Sequence, residues 1–86
     1  MSQVDELRKR RNVYKKEIQA KRSQLQEYEV LYNELFLADR NEENSEKLRQ
    51  CMNTIGKINV ELETLDSKIT GINNAITIKE HLEIMA

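Results

Sequence analysis

The chain has 86 residues, with no Pro, no Trp, two Gly and 34% charged residues. That length holds one domain at most, near the lower limit for a self-sufficient core, and the scarcity of helix breakers points to an all-α fold of long helices. A formal charge of −1 sets aside a strongly basic nucleic-acid domain, and 38% regularly spaced hydrophobics set aside a disordered tail.

The charge is unevenly spread. Residues 1–22 carry eight basic and three acidic groups, net +5, and residues 23–46 carry one and seven, net −6. One cysteine, Cys51, cannot close an internal disulfide and fits a reducing compartment. No apolar run approaches the roughly 20 residues that cross a bilayer, and MSQVDELRKRR lacks the apolar core of a secretory signal. The expectation is a cytoplasmic chain without a transmembrane segment; export by a route that needs no cleaved signal would leave the same sequence.

The first predicted helix spans about residues 3–38. Ser2 and Asp5 resemble a capping box at its start. Its heptad places Val4, Arg11, Ile18, Leu25 and Tyr32 at a, and Leu7, Tyr14, Lys21, Tyr28 and Leu35 at d. Arg11 and Lys21 interrupt an otherwise apolar or aromatic stripe. The stretch DRNEENSEK, Asp39–Lys47, has no apolar residue, and beyond it the heptad phase is displaced by two positions. A turn at about 39–46 follows, with Asp39, Asn41, Asn44 and Ser45 able to cap the next helix. The rival is a continuous rod, since no Gly or Pro forces the break.

The second predicted helix spans about residues 46–84. Leu48, Ile55, Leu62, Ile69 and Ile76 fall at a; Cys51, Ile58, Leu65 and Ile72 fall at d. This uninterrupted ladder is a strong coiled-coil signal. Folding the chain at the gap brings Leu35 opposite Leu48, Tyr28 opposite Ile55, Leu25 opposite Ile58 and Ile18 opposite Leu65. The same register sets Tyr14 against Ile69 and Leu7 against Ile76, while Ile72 meets Arg11 and Leu62 meets Lys21. Both arms are then about 55 Å long. The predicted fold is an antiparallel two-helix coiled-coil hairpin, a single domain over residues 1–86.

Such a hairpin buries one stripe per helix, and apolar residues remain outside it. Val13, Ala20 and Leu31 share a side of the first helix; Val60, Ala75, Ile78, Leu82 and Met85 share a side of the second. The segment ELFLA, Glu34–Ala38, is apolar around most of its circumference. Exposed stripes of this kind mark protein interfaces. The expectation is completion into a helical bundle by a second copy or by a different helical protein. Gly56 and Gly71, both off the seam, could allow close helix approach.

The basic run Glu6–Arg22 surrounds its helix rather than forming one strip: Arg8, Lys15 and Arg22 on one flank, Arg10 on the other, Lys9 and Lys16 outward. It is read as a solvated, orienting flank, with Glu80 and Glu83 as candidate partners. Docking to an acidic protein and binding of RNA, DNA or an anionic membrane are the lesser readings.

Nothing in the sequence composes a catalytic, cofactor or metal site. His81 and Cys51 lie thirty residues apart on one predicted helix, about 45 Å by its rise. The acidic turn lacks the ligand spacing and central Gly of a calcium loop. The expected role is that of a non-enzymatic interaction module: an adaptor, chaperone or targeting subunit that buries an apolar helix face against partner helices. In shape it is similar to small secretion chaperones and to the helical-hairpin substrates of bacterial export systems, although the Trp-X-Gly turn of one such family is absent. An RNA-binding hairpin dimer and a coiled-coil spacer within a larger assembly are the alternatives.

Overall fold

The structure, a computed structural model, describes residues 2–85. Helix α1 runs Gln3–Leu37 and helix α2 runs Glu42–Met85. The start of α1 is set by Ser2, whose extended backbone lets its hydroxyl accept a hydrogen bond from the Asp5 amide at 3.2 Å. Asp5 and Glu6 in the first turn suit the positive end of the helix dipole.

The connection is shorter than the polar stretch suggests. It occupies residues 38–41 rather than about 39–46, and α2 begins at Glu42 rather than near residue 46. Asn41 explains the difference. Its side-chain oxygen accepts from the Asn44 amide at 2.8 Å, and its carbonyl accepts from the Ser45 amide at 2.9 Å. The Asn44 side chain donates to the Asp39 carbonyl at 2.7 Å, tying the connection to the new helix. Glu42 and Glu43 are then first-turn residues beside a positive dipole end, so polar residues here extend the helix instead of lengthening the loop. One turn further on, Arg49 holds the Glu46 carboxyl below the usual carboxylate range by a side-chain hydrogen bond.

The helices pack along the heptad stripe. In α1 the residues withdrawn from solvent are the ten a and d positions, with Val4 and Ile18 buried and the others partly so; the rest of the helix is exposed. In α2 the nine ladder residues are all withdrawn, with Cys51, Ile58, Leu65 and Ile76 buried. Tertiary contacts follow the predicted register. The Cys51 thiol donates to the Tyr28 carbonyl at 3.2 Å, and the Lys68 ammonium lies 5.3 Å from the Tyr14 ring centre. At the turn end Leu35, Phe36 and Leu48 line a common pocket.

Arg11 and Lys21 show how a seam tolerates cations. Each sends its head group past the apolar residue opposite to the polar residue beside it. Arg11 Nη1 donates to Asn73 Oδ1 at 2.8 Å, and Lys21 pairs with Glu61. The stems stay on the stripe while the charges reach its edge. The solution is incomplete at Arg11, whose Nε is buried without a hydrogen-bond partner.

The result is a rod of 68 × 15 × 14 Å with a radius of gyration of 19.5 Å, where a compact chain of this length has about 12 Å. Two outcomes follow from the seam and the cap. Arg11→Leu is expected to raise stability by about 1 kcal/mol in urea unfolding, because it replaces a half-satisfied buried group with apolar volume. Asn41→Ala is expected to lower it by about 1 kcal/mol in the same assay, through loss of the α2 cap.

Candidate interaction face

In an antiparallel pair the flank of one helix that precedes its a residues lies beside the same flank of the other. On α1 this side carries Arg10, Val13, Ala20, Leu31 and Glu34; on α2 it carries Thr54, Thr64, Gly71, Ala75, Ile78 and Leu82. Two shallow grooves show the two rows meeting. One is lined by Leu7, Arg10 and Tyr14 with Lys68, Gly71, Ile72 and Ala75; the other joins Tyr28, Leu31 and Leu35 to Gln50, Cys51 and Thr54. Val13, Ala20 and Leu31 of α1 and Ala75, Ile78 and Leu82 of α2 therefore belong to one lateral face.

Within that face Val13, Leu31, Ile78, Leu82 and Met85 are exposed, Leu82 at 61%, and Val60, at 62%, projects outward at its edge. Ala75 differs from its neighbours. It is partly buried next to the seam, where it lines a groove with Ile72 and Tyr14. It shapes the face rather than projecting from it. The seam residues Leu25, Leu35, Leu48, Ile55, Ile58, Leu62, Leu65, Ile69, Ile72 and Ile76 all lie between the helices, partly or fully buried.

Two threonine hydroxyls on the face are already engaged locally. The Thr64 hydroxyl donates to the Val60 carbonyl at 3.0 Å, as Thr54 does to Gln50. A satisfied hydroxyl leaves the methyl of Thr64 as the outward group. Gly71 lies in open space: a Cβ built there meets nothing within 4 Å.

The opposite face is different. It carries Arg8, Lys15 and Arg22, and Arg8 donates to Glu80 Oε1 at 2.8 Å with Asp5 at 4.0 Å. A wide groove there is lined by Lys15, Gln19, Arg22, Ser23 and Gln26 with Asp66 on the far wall. Near the turn, Phe36 stacks on Tyr32 at 6.2 Å between ring centres, and Arg40 covers it at 5.7 Å. Sequence reading did not single out Val30, Met52 and Ile84, which are also exposed. They fall outside the two heptad ladders; projection onto the two-helix register finds Met52 beside Phe36.

His81 is exposed, whereas Cys51 is buried with its thiol on Tyr28. Among the described residues no three His, Cys, Asp or Glu side chains gather as a metal site, and no helix is long and apolar enough to cross a membrane. Compared with known proteins, the chain matches no family model, no curated sequence and no solved structure.

Burial of Cys51 has a direct readout. Its thiol is expected to react with an aromatic disulfide reagent at least a hundredfold more slowly in the native protein than in urea, since burial between the helices denies the reagent access. Equal rates would place Cys51 outside the seam.

Proposed function

We propose that this protein is a non-enzymatic helical interaction module whose lateral face is covered by helices of a partner. The observation that carries the reading is the contrast between the two parts of α2. Its seam residues already satisfy α1, and yet Val60, Ile78, Leu82 and Met85 project from a second side with no chain over them. A two-helix seam with six buried residues offsets chain entropy only narrowly. Covering this face adds the apolar burial that the hairpin alone does not supply. The local engagement of the Thr54 and Thr64 hydroxyls removes two polar groups from those that docking would have to desolvate.

The role is that of an adaptor, chaperone or targeting subunit, and its working element is the apolar ridge rather than a reacting group. The basic segment contributes orientation, because Arg8, Arg11 and Lys21 each reach across to α2.

Native purification of a tagged chain from its own cells tests this. Wild type is expected in a particle larger than its own 10.2 kDa mass, and Ile78→Glu combined with Leu82→Glu is expected to release it while circular dichroism stays helical. Leu65→Ala, in the seam, is instead expected to destabilise the hairpin itself by about 2–5 kcal/mol. A wild-type chain that is folded and solitary, or a double glutamate variant that keeps its assembly, contradicts the reading.

A further inference from the structure

We infer that the face opposite the lateral one is a second docking surface, and that its occupant is an acidic helix of a partner protein with carboxylates one heptad apart. Three observations carry it, and none depends on the lateral face.

The first is that two cations of the basic run have no partner inside the hairpin. Arg8 pairs with Glu80, while Arg11 and Lys21 reach Asn73 and Glu61. Lys15 and Arg22 are exposed and make no ion pair or hydrogen bond with any described residue. The register explains why. One heptad along from the Arg8–Glu80 pair, Lys15 comes opposite Asn73, whose side-chain oxygen is already taken by Arg11. Two heptads along, Arg22 comes opposite Asp66, which stands across a groove from it.

The second is room with matching spacing. Lys15 and Arg22 border that groove, which measures about 610 Å³ and has Ile18 and Ile69 among its lining. On the α1 side the positions flanking it are Arg8, Asn12, Lys15, Gln19, Arg22 and Gln26, with no acid and no bulky apolar group. The Arg8–Glu80 contact at 2.8 Å shows how this row takes a carboxylate from a helix lying alongside. Lys15 and Arg22 are about 10.5 Å apart along the axis, the spacing of two Glu residues one heptad apart on an incoming helix.

The third is what the surroundings select. Asp66 lines the groove, and Glu29 follows Arg22 by one heptad toward the turn. A nucleic-acid duplex brings a phosphate about every 1.7 Å of its axis and would set charge against both. A helix presents a carboxylate only where a cation stands. One heptad beyond Glu29 it meets Phe36 and Met52, exposed at 51% and 54%. An apolar residue there anchors the helix, and the charges set its register.

Fluorescence anisotropy with the full-length chain tests this. The probe is a fluorescein-labelled synthetic helix whose facing row reads Leu, Gln, Glu, Glu at heptad intervals, made in both chain directions. In one direction it is expected to bind at least tenfold more tightly than an isomer with both Glu moved off the row. That advantage is expected to fall at least tenfold as salt rises from about 0.05 to about 0.5 M. Lys15→Glu with Arg22→Glu is expected to abolish it while circular dichroism stays helical. Asp66→Asn is expected to tighten binding about threefold, by removing the carboxylate that competes for Arg22. Ile78→Glu with Leu82→Glu is expected to leave it unchanged, which separates this face from the lateral one. Equal binding of the two isomers, retained binding by the charge-reversed chain, or no binding in either direction overturns the inference. A single-stranded oligothymidine that binds as tightly as the peptide assigns the row to nucleic acid and overturns it too.

Discussion

One constraint organises this molecule: each helix carries a single seven-residue stripe that is stable only against the other. Once the chain turns at Ala38–Asn41, the stripes meet in one register from Leu35 and Leu48 to Leu7 and Ile76. The seam cations then have only two exits, and Arg11 and Lys21 take opposite ones, toward Asn73 and Glu61. The Arg8–Glu80 pair and the Tyr14–Lys68 contact are consequences of the same alignment.

That constraint also fixes what is left over. A heptad stripe uses about two residues in seven, so apart from Ala75 at the edge of the seam the apolar side chains elsewhere on α2 are exposed by geometry, not by accident. On α2 the remainder is large and orderly, and on α1 Val13 and Leu31 fall on the same side of the hairpin. A rod about 15 Å thick has no second layer in which to hide them. Stability and association are therefore linked in this chain: whatever binds the lateral face also favours the folded hairpin.

Much of this was legible in the sequence because periodicity is a strong physical signal. Val4 through Leu35 and Leu48 through Ile76 could be assigned to the seam from spacing alone, including the two cations. Ser2 was visible as a cap because a hydroxyl three residues ahead of an acid has one obvious use. The turn was read too long because polar residues serve equally as loop and as first helical turn; only the Asn41–Asn44 bond decides between them. Ala75 was grouped with Ile78 and Leu82 by its side of the helix, but a lone methyl next to the seam is drawn into the groove. Val30, Met52 and Ile84 gave no signal because they lie outside both ladders, and the neighbour of Met52, Phe36, is supplied by the other helix.

The doubling back of the chain is the claim beneath all the others, and a spin-label distance tests it most directly. Labels at Asn12→Cys and Asn74→Cys, in a Cys51→Ala background diluted with unlabelled chain, sit on exposed faces of adjacent helix segments. With helix axes about 8–10 Å apart, the account predicts a label separation of roughly 20–30 Å. A separation near 90 Å, the reach of about sixty residues of unbroken helix, would contradict it.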